Sequence, residues 1–94
     1  MIVIAGHSRT RNAIERDAAV AAFANMVERA RKQDGCLDMS IGADSVDPER
    51  INVFECWRDQ QSLGAWRKIA RPPKVALRET RVKLYRTDKA EKPF

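Results

Sequence analysis

The chain has 94 residues, 44% hydrophobic and 33% charged, which fits one soluble globular domain over 1–94 with no second core. No apolar run approaches the ~18 residues of a membrane-spanning helix, no glycine-rich phosphate loop or dinucleotide fingerprint is present, and two cysteines with one histidine cannot fill a four-ligand zinc site or a two-histidine iron site within one chain. The net charge of +5 is uneven: residues 1–66 carry 8 basic and 10 acidic side chains, net −2, whereas residues 67–94 carry 10 and 3, net +7. The basic third could suit an anionic ligand. Its cations are interspersed with Glu79, Asp88 and Glu91, and no recognition helix or aromatic RNA-binding pattern accompanies them, which argues against nucleic acid.

Residues 2–11 read as a first strand, with Ile2, Ile4, Gly6, Ser8 and Thr10 on one face and Val3, Ala5, His7 and Arg9 on the other. Met1 to Ala5 is too short for a secretory leader and lacks a basic region before it, so the cytoplasm is the expected compartment. Asn12 to Glu15 reads as a turn. From about Arg16 to Gln33, Ala19, Val20, Phe23, Val27 and Ala30, with Met26 flanking, recur at helical spacing, while Glu28, Arg29, Arg31 and Lys32 lie mostly on the wet side. Gly35 suits the end of this helix, since glycine enters a left-handed conformation at little cost. A second strand follows at Cys36 to Ala43, then a polar hairpin loop from Asp44 to Arg50, and a third strand at Ile51 to Arg58. Asp59 can cap a short helix through Ala70, with Leu63, Trp66 and Ile69 as its apolar stripe and Pro72-Pro73 as its stop. Residues 78–87 give a fourth strand, and the tail, about 88–94, is expected to be loosely ordered. Cys36 and Cys56 both fall in strands, where reduced, buried thiols are expected.

This order, β-α-β-β-α-β, is that of an α+β ferredoxin-like fold with a four-stranded antiparallel sheet. Two helices cover one sheet face. The third strand is nearly unbroken apolar or aromatic from Ile51 to Trp57, except for Asn52 and Glu55, so the other face also calls for burial. A second copy of the chain supplies it most economically, and a homodimer is expected.

Strand alternation puts Glu55 and Trp57 on one face. An acid beside an indole is either one wall of a reaction pocket or a satisfied core carboxylate.

The residues quoted so far resemble the antibiotic biosynthesis monooxygenase family of the dimeric α+β barrel superfamily. The resemblance rests on Asp34-Gly35-Cys36-Leu37 after a long helix, the Asp47-Pro48 loop, Glu55-Cys56-Trp57, and the helix from Asp59 to Trp66. It implies two ferredoxin-like subunits joined sheet to sheet, each with a pocket between sheet and helices. It also implies one of several activities: cofactor-free oxygenation of phenolic polyketides, quinol oxidation, haem degradation, or isomerisation of a sugar derivative. Trp57 matches a pocket-lining tryptophan of the family. The Trp57-to-Trp66 spacing resembles the haem-degrading branch, which has an asparagine near His7. Ala76 stands where that branch has its axial histidine, which counts against haem degradation. Val53 stands where the polyketide-oxidising members have an asparagine, and Asn52 should face the other way. Many members also have a histidine at Trp66 and a tyrosine at Met39.

Cofactor-free oxygenation removes a proton from an electron-rich aromatic substrate, whose anion then passes one electron to dioxygen. It needs a base, flat apolar walls and a donor for negative charge. The expected parts are His7 as base or proton shuttle, Glu55 as a second base, Trp57 and Trp66 as walls, and Arg86 at the mouth for an anionic substrate. Val3, Ala5 and His7 would then face the helices together with Val53, Glu55 and Trp57. The expected function is a metal-free, flavin-free monooxygenase acting without cofactor on a small aromatic, phenolic or quinol-like substrate. The alternatives are a non-oxygenating isomerase or small-metabolite-binding dimer, and a structural or regulatory dimer without turnover. Face-to-face closure of Trp57 on Trp66 would favour the last. An open cavity holding His7 and Glu55 would favour chemistry.

Overall fold

A computed structural model describes residues 1–94. It contains β1 (Ile2–Arg9), α1 (Ala13–Arg31), β2 (Cys36–Ala43), β3 (Arg50–Trp57), α2 (Gln60–Arg67) and β4 (Thr80–Arg86). The strands form one antiparallel sheet in the order β2-β3-β1-β4, so the chain is the expected α+β, ferredoxin-like arrangement. No helix is long and apolar enough to cross a membrane.

The first helix starts earlier than its alanine periodicity suggests. Asn12 is its N-cap, with the side-chain oxygen accepting the Glu15 N–H at 2.8 Å, so the segment read as a turn is the first helical turn. The helix closes at Lys32, before Gly35, which sits in the following turn at φ +84°. A Cβ on Gly35 would lie 2.0 Å from Ser62 Oγ and 2.3 Å from Ser62 Cβ. Glycine there serves both the backbone conformation and the close seating of α2.

The second helix is also shorter than its stripe. It ends at Arg67, leaving Ile69 largely exposed. Arg71, at φ +48° just before Pro72-Pro73, is the one non-glycine residue in the left-handed region.

Residues opposite each other in an antiparallel pair point to the same sheet face. The register therefore gives one row of Cys36, Trp57, Ile2 and Arg86, a second of Met39, Glu55, Ile4 and Leu84, and a third of Ile41, Val53, Gly6 and Val82. This is the helix-covered face. Ile2, Ile4, Met39 and Trp57 form the core there with Met26, Val27 and Ala30 of α1 and Leu63 and Trp66 of α2. Gly6, at φ +154°, brings β1 so close to β4 that a Cβ would meet the Arg81 carbonyl oxygen at 2.0 Å. α1 lies chiefly over β2, and α2 packs at the β3 end. Gly6, Val53, Glu55 and Val82 are consequently half-buried, and Leu84 remains 38% exposed.

Val3, Ala5 and His7 point to the opposite face, which corrects the expectation that they would turn towards the helices. Both faces of β1 are apolar near its start. Ile2 and Ile4 are larger than Val3 and Ala5, so burying them removes more apolar area from water. The opposite face also carries Phe54, 37% exposed, and Tyr85, 53% exposed, and nothing within the chain covers it.

Candidate functional site

Glu55 and Trp57 leave β3 on the helix-covered face, two residues apart, and they are bonded. Trp57 Nε1 donates to Glu55 Oε1 at 3.0 Å. The carboxylate is half-buried, while the indole is 0% exposed. The bond satisfies the indole N–H, which burial would otherwise leave without a partner. It also holds the carboxylate against an aromatic edge, with Ile4 and Met39 as its cross-strand neighbours.

Trp66, 3% exposed, lies over Trp57 with ring centroids 6.1 Å apart and planes 23° from parallel. The two indoles are stacked and the space between them is filled. None of the five main surface hollows is bordered by Glu55, Trp57, Trp66 or His7. On this face Glu55 is surrounded by the half-buried Gly6, Val53 and Val82 and by the partly exposed Leu84.

His7 pairs with Asn52 in β3 and Arg81 in β4, on the other side of the sheet from Glu55 and Trp57. The single cavity expected to contain an imidazole, an acid and two indoles is therefore not formed. Its acid and indoles come together, but its imidazole does not. Arg86 does share the face of Glu55 and Trp57, opposite Ile2 at the end of β4. It is exposed and donates to Gln60 Oε1 at 2.9 Å. It borders a surface hollow with Ile2, Arg58, Asp59 and Gln60. Asn52 points away from Val53, as expected. Its side chain donates to Asp44 at 2.8 Å and accepts from Arg50 at 2.7 Å.

The Asp34-Gly35-Cys36 signature proves to be a joint. Arg58 donates to both Asp34 carboxylate oxygens at 3.1–3.2 Å and to Ser62 Oγ at 3.2 Å, tying the exit of α1 to the start of α2. The guanidinium holds the Asp34 carboxyl below its usual range. Cys36 and Cys56 are free thiols on opposite faces of the sheet, and burial pushes both up. They stay protonated at neutral pH, as structural thiols do. No three His, Cys, Asp or Glu side chains converge in a way that could hold a metal ion.

One residue at the site escaped the sequence reading. Arg29, assigned there to the wet side, is half-buried with its guanidinium carbon 5.6 Å from the Trp66 ring centroid. It also donates to the carbonyls of Ala70 at 2.8 Å and Ile69 at 3.3 Å. The available signal was spacing: Arg29 follows Met26 by three positions, on the edge of the buried stripe.

The sequence profile of the family described as antibiotic biosynthesis monooxygenase matches residues 1–70. None of the curated proteins matches the chain. Among solved structures, a conserved protein from Methanosarcina mazei Go1 is 19% identical with a TM-score of 0.75, over 93% of this chain and 92% of that one. A protein from Mycobacterium tuberculosis is 23% identical with a TM-score of 0.72, over 96% and 97%. A protein from Deinococcus radiodurans, provisionally named an antibiotic biosynthesis monooxygenase, is 15% identical with a TM-score of 0.72, over 100% and 99%. At such identities these likenesses speak for the fold alone. The profile match is to the sequence itself and takes in the Glu55-Cys56-Trp57 strand and the helix after it: the chain belongs to the antibiotic biosynthesis monooxygenase family.

Proposed function

We propose that the protein is a monooxygenase acting without metal, flavin or other cofactor on a small aromatic, phenolic or quinol-like substrate, at the half-covered face around Glu55. The observation that carries this reading is the bond from Trp57 Nε1 to Glu55 Oε1, which fixes a half-buried carboxylate among apolar neighbours. Glu55 is the base in this scheme. It takes the phenolic proton, and the anion passes one electron to dioxygen. The resulting radical pair joins at a ring carbon, and the peroxide loses water. A phenol with an open para carbon thus becomes a quinone: one oxygen atom enters the ring, the other leaves as water, and the substrate supplies the electrons. Trp57 and Trp66 supply aromatic surface, and Arg86 meets anionic groups at the edge of the same face.

His7 takes no part in this chemistry. It belongs to the uncovered face with Val3, Ala5, Phe54 and Tyr85, and we assign that face to a second copy of the chain. The cytoplasm remains the expected compartment.

A second reading draws on the closed stack of Trp57 and Trp66. Indoles that fill the space between sheet and helix favour a structural or regulatory dimer without turnover, with an isomerase or a binder of small metabolites as the other members that do not oxygenate. Oxygen consumption by metal-free, flavin-free protein across a panel of phenols and quinols separates the readings. The proposal expects dioxygen uptake matched by quinone formation. Phenols that bind without oxygen uptake point to the second reading, and absence of both removes the first.

A further inference from the structure

The segment that follows Trp66 depends on few bonds, and those at its near end converge on one side chain. Trp66 belongs to an eight-residue helix, and residues 68–79 after it have no regular secondary structure. Between Ile69 and Arg78 this strap makes no backbone–backbone hydrogen bond. At its far end it is pinned to β1, where Arg78 N–H donates to the Arg9 carbonyl at 2.8 Å and Arg9 N–H to the Glu79 carbonyl at 3.0 Å. At its near end the fastening is Arg29. The guanidinium lies against Trp66, bonds the carbonyls of Ile69 and Ala70, and is steadied by Nε donating to Asn25 Oδ1 at 2.8 Å. It has no carboxylate partner. The next residue along the strap, Arg71, holds the left-handed conformation at φ +48° and is followed by two prolines. Such a conformation is costly for a residue with a Cβ and persists only where its surroundings impose it.

We infer that Arg29 is the latch of a gate made of Trp66 and the 68–79 strap, which must swing away before the face of Trp57, beside Glu55, can meet a flat ligand. The inference rests on the reading of Glu55 and Trp57 as the site, and it gives the closed stack a role within that reading. Arg29 acts through Trp66 and is a positioning residue. Its planar fork spans two carbonyls while its face meets the ring, so lysine keeps the charge but cannot keep both contacts. A segment secured at two ends, with few bonds between, opens locally at far less cost than the sheet beneath it.

The test is hydrogen–deuterium exchange together with acrylamide quenching of tryptophan fluorescence, on the full chain and on Arg29→Ala and Arg29→Lys. The latch predicts exchange over residues 66–79 faster by about tenfold or more in Arg29→Ala and by less in Arg29→Lys. Quenching should rise in the same order, while exchange in β1 and β3 stays within about twofold of the parent. Exchange over 66–79 within about twofold of the parent in both variants would overturn the inference. So would faster exchange spread evenly over the whole sheet in Arg29→Lys, because Arg29 would then serve general stability. The probe 1-naphthol separates this from failure of the underlying reading. Faster association in Arg29→Ala supports both, whereas localised exchange with no naphthol binding to any form keeps the latch and removes the site assignment.

Discussion

Trp57 Nε1 and Glu55 Oε1 stand 3.0 Å apart on one face of β3, so the acid and the indole that strand alternation aligns are joined by a hydrogen bond. The bond has two consequences. It fixes which edge of the carboxylate stays free, and it couples the largest fully buried side chain of the core to the one candidate base on the helix-covered face.

Trp57→Phe should therefore affect binding more than folding. Phenylalanine keeps an aromatic ring under Trp66 but loses the N–H, and Glu55, being half-buried, can take water in its place. A loss of about 1–2 kcal/mol is expected in urea unfolding, against about 3–5 kcal/mol for Trp57→Ala, which leaves a cavity. Equal losses in the two variants would mean that ring packing is not what Trp57 contributes.

Gly35→Ala tests the joint between the helices. The new methyl meets a left-handed backbone and the Ser62 side chain together, and a cost of about 1–3 kcal/mol is expected. Ser62→Gly in the same chain should recover part of it by removing the clash but not the backbone strain. Chemical denaturation of the two single variants and the double variant gives the coupling directly.

Stability should fall in acid over a defined range. The Asp44 carboxylate accepts the Asp47 N–H, the Asn52 amide and the Val46 N–H, and these draw it from 3.8 down to about 2. Hydrogen bonds from the Glu49 N–H and the Ser62 N–H likewise lower Asp47 and Asp59, and Arg58 lowers Asp34. A carboxyl with a lower pKa folded than unfolded stabilises the fold above its unfolded value, and that stability is lost as pH drops through the folded one. The decline is expected between about pH 4 and pH 2, and it should be shallower in Asp44→Asn. Thermal unfolding at pH 7, 4 and 2.5 reads it, and identical slopes for parent and variant would exclude Asp44 as a contributor.

The uncovered sheet face should bury Phe54 and Tyr85 against a second copy. An interface above roughly 2,000 Å² in total is expected for a permanent pair of this kind. Sedimentation should find a dimer at micromolar concentration, and Phe54→Glu should yield a monomer or an unfolded chain. A stable folded monomer of the unaltered protein would contradict the assignment.

Much of this architecture is legible in the residues, and the places where it is not share a cause. Cys36 to Ala43 is a strand where its place between Gly35 and the polar Asp44 loop implies one, and the pairing of Glu55 with Trp57 follows from a period of two. Local pattern states which residues share a face, but not which face turns inward. For β1 that choice depended on Ile2 and Ile4 outweighing Val3 and Ala5 once β3 and β4 had aligned, and His7 went with the losing side. The helix ends depended on side chains as well as periodicity. Asn12 capped α1 earlier than its alanines implied, and the carbonyls of Ile69 and Ala70 went to Arg29. Arg29 itself was hidden by its charge, because an arginine laid over a ring buries its plane and resembles a solvated one in sequence.

The most direct test of the site compares oxygen uptake by the parent, Glu55→Gln and His7→Ala, using whichever phenol the parent consumes fastest. With Glu55 as the base, Glu55→Gln should lose about 10²–10⁴-fold in turnover, while His7→Ala, altered on the far side of the sheet, should stay within about threefold provided it remains dimeric. Turnover that survives Glu55→Gln and disappears with His7→Ala would contradict the account and move the chemistry to the other face.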